Sequence, residues 1–239
     1  MGAIAVKKLV HKFGETVVLD EFTETFYDGE LYVLMGASGS GKTTLLKDIA
    51  GLGFMPGGKI EVNGQSIYKF SQKKMLDYHM HSGFVFQNSA LIGNMSIREN
   101  LTLYYQYHTA MPDEEIMPIL NRFLHYVGFA DDLNARPNAL STGEKMLINI
   151  VRAISHDPEY LFWDSPLANL DPIYGRKVKN IITDLKKKKK TMILVTNDAE
   201  FAFSVADTIG IIQNGRIVDR GTPDEIRRST VDITQRLIG

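Results

Sequence analysis

The sequence predicts an α/β fold: a mainly parallel sheet covered by helices, with a helical lobe inserted into it. Three observations carry this. Apolar runs of strand length recur at Leu31–Met35, Tyr160–Trp163 and Thr191–Val195. A helical stretch that starts near Pro172 and ends in Lys186–Lys190 separates the last two. From about 88 to 155 the pattern is helical, and the apolar residues of Asp113–Val127 fall three and four apart. Strands that alternate with helices favour parallel pairing, because each crossover returns along the face of the sheet.

Taken in order, Val17-Val18-Leu19 and Leu31–Met35 are apolar runs parted by the turn signal Tyr27-Asp28-Gly29-Glu30. Residues 42–50 read as a helix that opens straight off a glycine-rich loop. Lys59–Ile67 reads as a hairpin turning at Asn63-Gly64, a pair that tolerates the positive φ of a two-residue turn. His81–Phe86 reads as a further buried strand. His79 and His81 would share a face as alternate strand residues, but the pair lacks the further ligands of a metal site. Lys186–Lys190 reads as a solvated helix end whose charge suits the helix dipole.

Composition narrows the function classes. The chain has 239 residues, which fits one α/β domain with an inserted lobe. A hydrophobic content of 44% with 23% charged residues supports an ordinary buried core. A net charge of −1 lacks the basic excess of nucleic-acid binders, so no nucleic-acid partner is expected. The absence of cysteine excludes disulfides and thiolate metal ligands. The N-terminus lacks the apolar stretch of a signal peptide, and the longest apolar runs are strand-sized. Direct membrane insertion is therefore not expected, and a membrane role would come through a partner.

The segment richest in chemistry is Gly36-Ala-Ser-Gly-Ser-Gly-Lys42-Thr43, which fits G-x-x-x-x-G-K-[ST] without mismatch. Glycines let backbone N–H groups turn inward around phosphates, and the following helix directs its positive end at them. Lys42 supplies a cation for the β- and γ-phosphates, and Thr43 offers a hydroxyl to Mg²⁺. The run follows an apolar strand and precedes a helix, the context the motif requires. Gly36, Ser38, Gly39, Gly41, Lys42, Thr43 and Thr44 are thus the expected binding residues for ATP. The second half of such a site is an acidic residue at the end of a buried strand, and Asp164 after Tyr160–Trp163 fits, holding Mg²⁺.

With these motifs in place, nearly the whole chain resembles the nucleotide-binding subunits of ATP-binding cassette (ABC) transporters. Leu140-Ser-Thr-Gly-Glu144 is similar to the family signature L-S-G-G-Q, and Phe86-Gln87 to the Q-loop. Leu167–Asp171 is similar to the D-loop, and Phe13 falls where the family stacks an aromatic on adenine. Gly215 and Gly221–Ile226 resemble the closing stretch. The resemblance implies a RecA-like P-loop NTPase core with an antiparallel β-subdomain, one cassette over 1–239. Residues 1–87 and 156–239 would form the core, and 88–155 the helical signature subdomain. It also implies a dimer, homo- or heteromeric, in which Ser141 and the Gly143 N–H contact the γ-phosphate held by the partner cassette. Gln87 would join Thr43 and Asp164 at Mg²⁺, and Asp171 would belong to the catalytic surroundings. Gln87–Asn100 is the implied contact with a transmembrane permease subunit. The chain would then sit in the cytoplasm, peripheral on the inner face of the membrane.

Two departures from the family pattern concern the chemistry. The residue after the strand aspartate is normally Glu, the base that orients or deprotonates water; here it is Ser165. A serine hydroxyl hydrogen-bonds water but is a poor proton acceptor at neutral pH. The H-loop histidine is replaced by Asn197, which can donate a hydrogen bond but cannot carry positive charge. The resulting expectation is a site that binds MgATP and hydrolyses it weakly, in a transport subunit. The stretches 87–100 and 170–173 look most like Mla-type lipid-transport ATPases. The alternative is a catalytically silent interaction subunit whose signature completes the active site of a competent partner cassette.

Overall fold

A computed structural model describes residues 2–53 and 57–238. The chain opens with β1 (Gly2–Phe13), β2 (Thr16–Tyr27) and β3 (Leu31–Met35), and the glycine-rich loop then leads into α1 (Lys42–Ile49). β4 (Gly57–Val62), β5 (Gln65–Ser66), α2 (Gln72–Met80) and β6 (Ser82–Val85) follow. The helical lobe holds α3 (Ile97–His108), α4 (Asp113–Val127) and α5 (Thr142–Ile154). The chain then runs through β7 (Tyr160–Asp164), α6 (Pro172–Lys187), β8 (Thr191–Thr196), α7 (Ala199–Val205), β9 (Thr208–Gln213) and β10 (Arg216–Gly221). It closes with α8 (Pro223–Arg227) and α9 (Asp232–Ile238).

Two sheets result. One is antiparallel, in the order β2-β1-β4-β5. The other runs β10-β9-β3-β8-β7-β6 and is parallel except at β10. Buried parallel strands present apolar side chains on both faces, and alternation along β3 shows how they are shared. Leu31, Val33 and Met35 enter the core under α3–α6, whereas Tyr32 and Leu34 enter the core against α1 and the antiparallel sheet. β7 and β8 divide likewise: Trp163 and Leu194 point to the first core, Phe162 and Ile193 to the second. The sheet is therefore the shared wall of two cores, and its central strands β3, β7 and β8 are packed from both sides.

Helix starts in the lobe are written locally. Ser96 with Glu99 and Ser141 with Glu144 form capping boxes, in which the hydroxyl accepts from the third residue's N–H and the carboxylate accepts from the cap's N–H. Gly128 ends α4 in the left-handed conformation, φ 68°.

Two expectations are revised, and one strand is added. From sequence, His79 and His81 share a strand face; in the structure His79 lies within α2 and His81 ends that helix, with strand β6 beginning only at Ser82. His81 Nδ1 lies 2.8 Å from the Asp77 carbonyl oxygen, a helix-terminal contact, and no metal-holding group of three His, Cys, Asp or Glu occurs among the described residues. The lysine run is only partly a solvated helix end. Lys186 pairs with Asp207 at 2.9 Å and Lys190 with Asp157 at 2.7 Å, so these two side chains tie the end of α6 and the turn before β8 to the segments leading into β9 and β7. Finally, the whole of Gly2–Phe13 is a strand that apolar runs alone did not mark.

Leu34 is fully buried in the strand that launches the glycine-rich loop. Leu34→Ala is expected to cost about 2–5 kcal/mol of unfolding free energy. Chemical denaturation checks this; a loss below about 1 kcal/mol would mean that the second core is not tightly packed there.

Candidate nucleotide site

Strand register brings the site together. Met35 lies opposite Thr196 across β3 and β8, and Asp164 opposite Val195 across β7 and β8. Val85 lies opposite Trp163, so β6 ends one residue short of Asp164. The segments that leave these strands, at Gly36, Phe86, Ser165 and Asn197, therefore emerge on the same edge. They border a cleft of about 360 Å³. Ser38, Gly39, Gly41, Lys42, Thr43, Thr44, Gln87, Ser165, Asn197 and Phe13 line it, together with Val18 and Ser40, which the motif reading did not single out.

Gly41 has φ 98°, a left-handed conformation that disfavours side chains, and an added Cβ would approach the Val18 carbonyl oxygen to 2.9 Å. It also leaves α1 without a side-chain cap, whereas α2, α3, α5 and α6 each begin with one. The first amides of α1 thus keep their donor capacity, with the helix dipole behind them. Lys42 is buried, and its Nζ donates to the carbonyls of Gly36 (2.7 Å) and Ala37 (2.8 Å) and to Ser40 Oγ (3.2 Å). The ammonium is held inside the loop at the place where phosphate oxygens would replace carbonyls as its acceptors. Burial lowers its pKa to about 8, and the charge of Asp164 only partly opposes this.

Thr43 Oγ1 donates to Asp164 Oδ1 at 2.9 Å. Asp164 is buried, and burial raises its carboxyl pKa, while the Thr43 hydrogen bond and the nearby Lys47 and Lys42 charges lower it. A hydroxyl and a buried carboxylate in contact are hard oxygen donors of the kind Mg²⁺ takes, so the two residues fit that ion. Gln87 and Asn197 are exposed on the cleft. Ser165 takes a left-handed conformation, φ 46°, fixed by its N–H to the Val195 carbonyl (2.9 Å) and by its own carbonyl to the Ala168 N–H (3.0 Å). Phe13 ends β1 and is 57% exposed.

Ser141, Gly143 and Asp171 do not line this cleft. Ser141 caps α5 and is exposed. Gly143 lies under the ring of Tyr174, where any Cβ would collide, so the glycine is required by that close approach. Asp171 caps α6, its Oδ1 accepting from the N–H groups of Ile173 (2.8 Å) and Tyr174 (3.0 Å).

Two further residues act on the site from α5 and were not legible as motif. Asn149, fully buried, donates from Nδ2 to the Phe86 carbonyl at 2.9 Å. Arg152 donates to the carbonyls of Ser89 and Ala90, each at 2.9 Å. Ser89 and Ala90 are both left-handed, φ 62° and 48°. The helix that begins at Ser141 thereby holds a strained turn two residues beyond Gln87.

Residues 19–168 match the family model described as ABC transporter. The chain belongs to this family. It is similar to the L-cystine transport system ATP-binding protein TcyN of Escherichia coli, 37% identical over 92% of this chain and 90% of that protein. The intermembrane phospholipid transport system ATP-binding protein MlaF of Haemophilus influenzae is 32% identical over 95% and 86% of the two chains. The dimeric structure of the bacterial ABC transporter cassette MJ0796 superimposes with a TM-score of 0.84 at 27% identity, covering 92% of this chain and 98% of that one. The chain is thus an ABC transporter ATP-binding subunit with the cassette fold. Cassettes of this family bind ATP with Mg²⁺, dimerise and pair with transmembrane permease subunits. No helix among the described residues of this cassette is long and apolar enough to cross a membrane.

The state of Lys42 sets a pH dependence for this cassette. Above a pKa of about 8 the free protein loses the ammonium proton, whereas a bound triphosphate demands it. Binding then takes up a proton, and ATP affinity should fall by up to about tenfold per pH unit above that point. Calorimetric titration between pH 7 and 10 reads both quantities; a flat affinity without proton uptake would contradict the burial argument.

Proposed function

We propose that this cassette binds MgATP tightly and hydrolyses it slowly, so that nucleotide works mainly as a clamp between two cassettes that drive a membrane partner. The observation that carries this reading is chemical: Ser165 and Asn197 line the cleft at the two positions where the family pattern has a glutamate and a histidine. Lys42 presents its cation to the phosphates, Thr43 and Asp164 hold Mg²⁺ with Gln87 beside them, and Phe13 offers a face to adenine. Ser165 stands where a proton acceptor is needed. Asp171 and Asp198 each cap a helix through Oδ1, α6 and α7 respectively, and neither lines the cleft. General-base assistance is worth about 10²- to 10⁴-fold, so its loss raises the barrier by roughly 3–5 kcal/mol.

Dimerisation follows from the same geometry. Ser141 is exposed at the start of α5 and outside the cleft, which supports its facing a nucleotide held by another cassette. This also favours the second reading, a heterodimer in which Ser141 and Gly143 complete a competent partner's site while this chain's own site stays closed on ATP. The segment Gln87–Asn100, steadied by Asn149 and Arg152, is the proposed permease contact. Similarity to MlaF supports a phospholipid-transport role. The two L-cystine ATP-binding proteins, at 37% and 33% identity, support an amino-acid cargo at least as well, so the cargo class rests with the membrane subunits.

Ser165→Glu, alone and with Asn197→His, tests the central reading. The expected result is a rise in steady-state ATPase rate of about 10²-fold with little change in ATP affinity. An unchanged rate would mean that another group already activates water, and slow turnover would fall. Lys42→Ala is the binding control: it should abolish measurable ATP affinity, and undiminished affinity would contradict the site assignment itself.

A further inference from the structure

Phe13 lies at the rim of the cleft with little holding its outer face, yet a stacking aromatic works only if it stands at a fixed height above the phosphate loop. Behind it lies His11, buried at 6% exposure, with ring centroids 4.6 Å apart and planes tilted by 48°. His11 Nδ1 meets Asp48 Oδ2 at 2.8 Å, and Asp48 is 3% exposed near the end of α1. That helix begins with Lys42 and Thr43. One buried polar pair therefore ties the strand that carries the aromatic to the helix that carries the phosphate and metal ligands.

Two features set this pair apart from ordinary core packing. First, β1 is irregular on both sides of His11: its register with β2 shifts between Leu9 and His11 and again between His11 and Lys12. Bulges of this kind re-aim a side chain at the expense of ladder regularity, and they concentrate beside functional sites. Second, Asp48 Oδ1 is buried with no hydrogen-bond partner among the described residues, so the His11 bond is the satisfaction this carboxyl receives. An apolar pair of similar volume would serve stability as well or better. What the polar pair adds is direction, because the bond fixes the His11 ring against which Phe13 leans.

We infer that His11 and Asp48 are positioning residues for the nucleotide base, setting the ring of Phe13 in register with the phosphate loop. The inference rests on the reading of Phe13 as the adenine contact. It makes the base-binding part of the affinity separable from the phosphate part.

The test compares the affinities of the full chain for MgATP and for inorganic tripolyphosphate with Mg²⁺. In His11→Leu/Asp48→Leu, ATP affinity should fall about tenfold, part of the energy of one stacked base, while tripolyphosphate affinity stays unchanged. A purely structural pair would leave both affinities at the wild-type value, which overturns the inference. Equal losses for both ligands overturn it too, because the pair would then act on α1 and not on the base. Phe13→Ala separates the two layers: if it leaves ATP affinity intact, the adenine reading itself fails. If Phe13→Ala weakens ATP and the double variant does not, only the positioning role fails. Asp48→Asn keeps the shape of the pair and replaces its carboxyl group with an amide. It is read by the same criteria if the double variant does not fold, with a smaller ATP-selective loss expected.

Discussion

When β3, β8 and β7 pair in parallel with Met35 opposite Thr196 and Asp164 opposite Val195, the segments that follow these strands must leave at one edge. The phosphate loop, Ser165 and Asn197 are neighbours for that reason, although more than half the chain separates the first from the last. The register is enforced by burial on both faces of the sheet: sliding a strand by one residue would exchange side chains between two cores of different shape. Helix α1 and the antiparallel sheet close one face, and the lobe with α6 and α7 closes the other. Site geometry is thus a consequence of core packing.

Within that frame the site holds charge at a cost. Lys42 and Asp164 are both buried, and each pKa moves in the direction that disfavours the charged form. Burying such charges costs desolvation free energy that apolar residues would not incur. Their presence makes sense for a site preorganised for a polyanion and a hard cation, which supply the missing counter-charges. Around this intact binding half, the two positions at which this family places a base and a histidine carry Ser165 and Asn197. These two replacements are what the proposal of slow turnover rests on.

The phosphate loop, Asp164 and the signature were legible because each is a short run that survives in one dimension: glycines at fixed offsets, a polar residue closing an apolar run, and five residues that resemble a family motif. The His79–His81 reading failed because a two-residue spacing is silent about secondary structure, and α2 had no strong apolar period to announce it. The polar supports of the site were hidden for a different reason. Asn149 and Arg152 lie on an otherwise apolar helix face, and His11 meets Asp48 across 37 residues. Their partners are backbone carbonyls or a distant carboxylate, and nothing in local spacing points to either. Asp171 shows the reverse case, in which a recognisable motif residue spends its carboxylate on capping α6.

The central claim, tight binding with slow turnover, is tested most directly by measuring MgATP affinity and steady-state ATPase rate on the same purified chain, alone and with its membrane partner. Saturable ATP binding is expected, with turnover at least about 10²-fold below that of a cassette carrying the glutamate, in both settings. Turnover equal to that of such a cassette, with Ser165 and Asn197 in place, would contradict it.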